Sequence, residues 1–215
     1  GKRGSAVIRA MDESKMCKTK MVKLKERIES TRVYKIIPIE LPDGFRTDLN
    51  YSSRTGKGVA MECLPTKEGL LVGVLLVKPT DEETCLKLSD PKKLREYLDS
   101  NFPMFSKMVS DENVEKVAKS KFSGLPNFQY AGGALHLGSC AGLIGDAIHT
   151  VKPYFGMGVN SAFEDVTVLE ECIENANGDS KIFLPLYSKK RAADAKALVE
   201  ISHGFDGGFL TFVLP

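Results

Sequence analysis

Residues 142–165 read GLIGDAIHTVKPYFGMGVNSAFED, a short apolar run followed by Gly145-Asp146, a proline at 153, and glycines at 156 and 158 that feed a helical pattern. The run from Ala141 to Ile144 reads as a short strand ending on Gly145-Asp146. That order puts a carboxylate at the carboxyl edge of a sheet, where open α/β sheets bind ligands. Asp146 can accept hydrogen bonds there from hydroxyls such as those of a ribityl or ribose group. Downstream, Gly156-Met157-Gly158-Val159-Asn160 offers backbone N–H groups at a helix start, where roughly half a positive charge is available to an anion. The glycines admit a flat ligand close to the backbone, and Pro153, which has no N–H, supplies a rigid wall. A planar, partly anionic group with a polyol tail satisfies both ends. Each half alone is a common arrangement; the two together, eleven residues apart with Pro153 between them, are informative.

Beyond Gly158, the residues Val159, Ala162, Phe163, Val166, Leu169 and Ile173 recur at three- and four-residue spacing and predict one apolar face of a helix. Ser161 and Glu164 have capping-box spacing near its start. Asn175 to Gly178 suits a left-handed helix end, and a last helical segment is predicted over about Leu184 to Ser202, before Gly204, Gly207 and Gly208. Upstream, Val33 to Leu41 reads as an edge strand because Pro38 interrupts it. Val59 to Leu64 and Leu70 to Val77 flank a turn-rich connection and predict an antiparallel pair. Asp90-Pro91 predicts a helix start, with Leu94, Tyr97 and Leu98 on one face and Pro103 as the stop. A second helix is expected around Val114 to Lys121, and sheet again between Phe122 and Leu137. Residues 11 to 31, with six basic residues from Lys15 to Arg27, read as a solvated helix or loop.

The chain has 215 residues, 27% of them charged, and a net charge of +2, so it lacks the basic excess of a nucleic-acid binder. Five scattered cysteines, Cys17, Cys63, Cys85, Cys140 and Cys172, show no paired spacing and read as reduced core thiols. His136, His149 and His203 show no ligand spacing, and no metal is expected. The longest apolar run, Leu70 to Val77, is too short to span a bilayer, so a soluble segment is expected, in the cytoplasm or an organelle. Because the chain does not start with methionine, it is expected to begin inside a longer polypeptide.

Gly145-Asp146-Ala147-Ile148-His149, Pro153, Gly156-Met157-Gly158-Val159-Asn160 and Phe163-Glu164-Asp165 together resemble the second FAD-binding motif of the class A flavoprotein monooxygenases. The wording Phe-Gly-x-Gly-x-Asn-x-x-Phe-Glu-Asp is most similar to the kynurenine 3-monooxygenase group. Gly1 to Arg9 is similar to the tail of the family's Asp-Gly…Ser-x-Val-Arg segment, although its aspartate is missing and the Val7-Ile8-Arg9 spacing is one residue longer.

The resemblance implies a mixed α+β and α/β chain: a partial FAD/NAD(P)-binding fold with an antiparallel substrate-domain sheet and covering helices. Residues 1–32 would be a remnant of the FAD-binding region and linker, and 33–135 the substrate-domain sheet and helices. Residues 136–178 would form the second FAD-binding motif and its helix, and 179–215 a C-terminal helical segment. The family's opening Gly-x-Gly-x-x-Gly turn is not found, and Gly56-Lys57-Gly58 is no substitute, because no strand leads into it and no helix leaves it. The chain is therefore expected to be the C-terminal portion of a monooxygenase.

The implied activity is FAD-dependent monooxygenation of an aromatic or similar small organic substrate, with NAD(P)H as co-substrate and O2, through a flavin C4a-hydroperoxide. Gly145, Asp146, Pro153, Gly156, Met157, Gly158, Val159 and Asn160 would hold the cofactor, with Asp146 on the ribityl chain. Pro153, Phe155 and Gly156 would line the oxygen-reacting face, and no residue is assigned proton transfer. His149 is expected to serve helix start or packing, Tyr154 to pack or face substrate, and Phe205 to stand where kynurenine hydroxylases carry a carboxylate-binding asparagine. Other readings are a truncated non-catalytic relative acting as a binding module, or a related flavoprotein reductase; a halogenase should carry tryptophan, and the chain has none.

Overall fold

The computed structural model describes residues 7, 10–11, 19–26, 31–55, 59–153 and 156–206. The amino-terminal segment apart from Val7, Lys15 to Cys17, Arg27, Ile28, Gly56 to Gly58, Tyr154, Phe155, Gly207 and Gly208 lie outside them. The fold is mixed α and β with antiparallel sheets. Residues 29–125 form one unit; residues 1–28 and 126–215 form the other.

The first strand, β1 (Lys20–Lys23), corrects the expectation of a solvated helix or loop. It pairs antiparallel with residues 129–132, Met21 opposite Ala131 and Val22 opposite Tyr130. Only these two central residues are apolar and half-buried, so the flanking lysines mask the strand.

In the 29–125 unit, β2 (Val33–Glu40), β3 (Tyr51–Arg54), β4 (Ala60–Pro65) and β5 (Leu70–Val77) are joined by the short β6 (Ser123–Gly124) in the order β3-β4-β5-β2-β6. β2 pairs with β5 throughout, but with β6 only at Val33 and Tyr34. Beyond Tyr34 its outer edge therefore has no strand neighbour among the described residues. The Glu40 N–H points that way, to the Met108 carbonyl at 2.9 Å. Pro38, two residues earlier, turns its nitrogen to the same side, so its missing N–H removes no ladder bond.

Helices α1 (Glu82–Lys87), α2 (Pro91–Asn101), α3 (Pro103–Ser106) and α4 (Asp111–Lys119) cover one face of this sheet. Asp90 caps α2 by accepting the Lys93 N–H, Pro91 takes the first helical position, and Leu94 and Leu98 are buried. Pro103 ends α2 and starts α3. Ile37, Ile39, Met61 and Leu75 meet them from the sheet. Among these hydrocarbons stands one buried cation: Lys35 Nζ donates to the carbonyls of Val117, Ala118 and Ser120 at 2.8, 2.9 and 2.8 Å, closing the end of α4. It also lies 4.8 Å from the Phe122 ring centroid. Burial pulls its ammonium below the ordinary lysine value, partly offset by Cys85.

In the other unit, β1, β7 (Gln129–Gly132) and β10 (His149–Thr150) form a sheet in that order, and β8 (His136–Leu137) pairs with β9 (Ala141–Gly142). The sheet predicted between Phe122 and Leu137 is thus three short pieces in three sheets. Two long helices follow, α5 (Met157–Asn175) and α6 (Ser180–Gly204). As expected, α5 ends in left-handed residues, Asn177 and Gly178, with the Gly178 N–H on the Ile173 carbonyl at 2.9 Å. α6 begins earlier than predicted, because Asp179 accepts the Lys181 N–H and Pro185 is carried inside the helix. No described helix is long and apolar enough to cross a membrane.

Candidate flavin-facing site

The site grows from the turn after β9. Instead of a strand running from Ala141 to Ile144, only Ala141–Gly142 is paired as a strand, antiparallel with β8, although Ile144 keeps an extended backbone. Leu143 N–H still reaches the Leu135 carbonyl, but Gly145 adopts φ +61° and turns the chain into a single 3-10 turn, Gly145–Ala147. A side chain at that φ would be strained, which explains the glycine. Asp146 is consequently exposed on a turn and not at the end of a parallel strand. Its carbonyl accepts the Thr150 hydroxyl at 2.8 Å, tying the turn to β10.

The helix start also differs from the capping-box expectation. Gly156, at φ +62°, is the N-cap of α5, and no side chain caps it. Ser161 and Glu164 lie a turn further in, where Ser161 faces His149 and Arg191, and Glu164 pairs with Arg191 at 3.2 Å. The first turn of α5 therefore keeps N–H groups that have no intrahelical partner and the positive end of its dipole. Met157, Val159 and Asn160 are exposed there, and Gly158 is half-buried with Val151 beside it. A Cβ added to Gly156 would meet nothing within 4 Å. Of the residues expected to line the ring, Pro153 and Gly156 are exposed and Phe155 lies outside the described residues, as does Tyr154.

Most of the apolar stripe of α5 points outward; of its residues only Ala162 and Leu169 are half-buried, Leu169 against the core. Phe163 is 68% exposed and Val159, Val166 and Ile173 are exposed too, while Ser161, Asp165 and Cys172 form the buried line. The rotation is decided by a polar network. Asp165 Oδ2 accepts the Gly145 N–H at 2.7 Å and lies 2.8 Å from His149 Nε2; Oδ1 accepts Arg191 Nε at 2.9 Å. The side chains of His149 and Asp165 are 0% exposed and that of Arg191 2%. Burial pushes the Asp165 carboxyl up, but the bonds from His149, Gly145 and Arg191 outweigh it and hold it below the ordinary carboxylate value. His149 thus packs in a strand and serves no helix start. Its Nδ1 and the Tyr187 hydroxyl are buried with no partner among the described residues.

A second buried cation holds the segment before Pro153. Lys152 Nζ lies 3.0 Å from Asp206 Oδ2 and 3.4 Å from Glu26 Oε1, over the Phe128 ring at 5.2 Å. His203 packs edge-on against Phe128 and lies 2.9 Å from the Lys25 carbonyl, and Phe205 ends α6. His136 Nδ1 lies 2.9 Å from the Gly138 carbonyl. Among the described residues no cluster of three His, Cys, Asp or Glu could hold a metal ion. An open groove of about 410 Å³ between α5 and α6 is lined by Met157, Asn160, Glu164, Arg191, Asp194 and Leu198.

Sequence reasoning missed Asp165, Arg191 and Lys152 as structural participants. One signal was present: Leu184, Ser188, Arg191, Ala195 and Val199 repeat at helical spacing along α6, and all are buried. A charge on such a stripe needs a buried partner.

Residues 141–202 match the family described as FAD binding domain, and the antiparallel fold matches part of the fold of FAD-dependent monooxygenases. The chain is a distant homologue of kynurenine 3-monooxygenases. That of Flavobacterium johnsoniae is 30% identical over 140 residues, 65% of this chain and 31% of that protein. The chain thus spans about a third of that relative's length. Among solved structures, PqsL of P. aeruginosa in complex with 2-aminobenzoylacetate has a TM-score of 0.58 at 21% identity, covering 86% of this chain and 49% of that one. Klebsiella pneumoniae HpxO, complexed with FAD and uric acid, has a TM-score of 0.53 at 18% identity, covering 85% and 46%.

Proposed function

We propose that this chain supplies one flavin clamp and the substrate-domain sheet of an FAD-dependent monooxygenase that uses NAD(P)H and O2 on an aromatic or similar small molecule. The observation that carries the reading is the uncapped amino-terminus of α5 beside the Gly145–Ala147 turn. The residues fit FAD: an exposed carboxylate for hydroxyls, open N–H groups for an anionic edge, and a glycine with clear space where a flat ring would approach. Bound FAD would supply the electron-transfer and oxygen chemistry.

The chain's own share is binding and orientation. Asp146 accepts hydrogen bonds from the ribityl hydroxyls, with Gly145 shaping the turn beneath it. The N–H groups of Gly158, Val159 and Asn160 would serve the pyrimidine edge of the ring, and the helix dipole favours negative charge there. Pro153 and Gly156, both exposed, would line the ring face. The ligands of PqsL and HpxO support a small ring-bearing substrate. The test is titration with FAD, followed by flavin fluorescence. Asp146→Ala should weaken affinity about tenfold with an unchanged far-UV spectrum, since a hydrogen bond to a charged group is lost. Unchanged affinity would remove Asp146 from this role.

A further inference from the structure

The buried network does more than fill space between helices. Asp165 sits on α5, two turns from its open end, and all its partners are donors. Oδ2 takes the Gly145 N–H and faces His149 Nε2, while Oδ1 takes Arg191 Nε and lies 2.7 Å from Nη2. With its hydrogen on Nε2, His149 donates to this carboxylate and leaves Nδ1 as a bare acceptor. That is a milder defect than a buried unpaired N–H. Only an ionised carboxylate satisfies four surrounding donor atoms. An asparagine of the same shape would press its NH2 against the Gly145 N–H or against the Arg191 guanidinium, whichever way it turned.

The Gly145–Ala147 turn is gripped from both sides. Asp165 holds the Gly145 N–H, and Thr150 holds the Asp146 carbonyl. Gly145 also lies close to α5, since a Cβ built on it would stand 3.6 Å from the Ala162 Cβ. The carboxylate of Asp146 and the N-terminus of α5 are therefore parts of one braced body.

We propose that Asp165 is a positioning residue for the flavin site: buried and ionised, it ties the Gly145–Asp146 turn to the shaft of α5 and sets the spacing between the two halves of the clamp. The inference rests on the flavin reading above. His149 and Arg191 act through Asp165, the first steering its Oδ2 and the second balancing its charge. None of the three touches the cofactor.

The test is a double-mutant cycle on FAD affinity, read beside hydrogen exchange of the Gly145 amide. Asp165→Asn should weaken FAD binding about tenfold to a hundredfold and speed Gly145 exchange, with the far-UV spectrum retained. In an Asp146→Ala background, the same change should cost less than about twofold further, because both act through one turn. Fully additive losses would overturn the proposal, since a residue that merely supports the fold lowers affinity whether or not Asp146 is present. If Asp146→Ala alone leaves affinity unchanged, the flavin reading falls; the tether is then judged by the amide alone, and wild-type Gly145 exchange in Asp165→Asn overturns it. Should Asp165→Asn fail to fold, His149 provides the second route. Glutamine there keeps a donor for Asp165 and should hold FAD affinity within about twofold, whereas leucine should lose about tenfold. Equal affinities for the two would overturn the proposal.

Discussion

Two regions of this protein solve burial in opposite ways. In the 29–125 unit, the inward faces of β2, β4 and β5 carry Ile37, Ile39, Met61 and Leu75, and the covering helices answer with Leu94, Leu98 and Val117. In α5 the buried line is Ser161, Asp165 and Cys172, and the hydrocarbon of Val159, Phe163 and Val166 points outward. The first region is specified by volume, because dispersion and desolvation are non-directional and ask only that space be filled. The second is specified by direction, because a buried carboxylate is tolerated only when each oxygen meets a donor. The directional region is also where the candidate flavin clamp is built.

The contrast is broken most sharply at Arg191. Arg191→Ala leaves the Asp165 carboxylate buried without its cation and should cost about 3–5 kcal/mol in urea unfolding. A loss below about 1 kcal/mol would mean that the network contributes little to the fold. A volume-conserving change in the other region tests the opposite pole. Leu75 is fully buried, yet Leu75→Met should cost less than about 1.5 kcal/mol, because a hydrocarbon core accepts a side chain of similar volume. A larger loss there would show that shape is as strictly specified as polarity. The smallest effect is expected at the outward stripe. Phe163→Ser should change stability by no more than about 0.5 kcal/mol, since the ring is 68% exposed and the two residues have similar helix propensity. A substantial loss would place Phe163 against other parts of the protein and correct its assignment as a surface side chain.

Legibility in the sequence follows the same division. Strands β4 and β5, the turn between them, Pro38 at an unpaired edge and the Asp90-Pro91 helix start were readable, because each depends on residues within a few positions. β3, Tyr-Ser-Ser-Arg, and α1, Glu-Glu-Thr-Cys-Leu-Lys, were not, since neither carries an apolar period. At the candidate site, the helix after Gly156 was in the letters, whereas the positive φ of Gly145 and Gly156 was not read from them. The capping box was not realised: Ser161 lies inside the helix, where its hydroxyl faces His149 and Arg191. The apolar repeat from Val159 to Ile173 marked the right helix, yet of its residues only Ala162 and Leu169 are half-buried. Periodicity measures which residues share a side, and carries no statement of which side is covered.

Local chemistry therefore accounts for the positive φ at Gly145 and the start of α5 at Gly156, because backbone preference acts within one or two residues. The meeting of Asp165 with Arg191, 26 positions away, with His149, 16 away, and with the Gly145 amide had no local signature. Those contacts settled the rotation of α5 about its axis, since at a buried position the strict demand of a charge for partners outweighed the preference of a phenylalanine for burial.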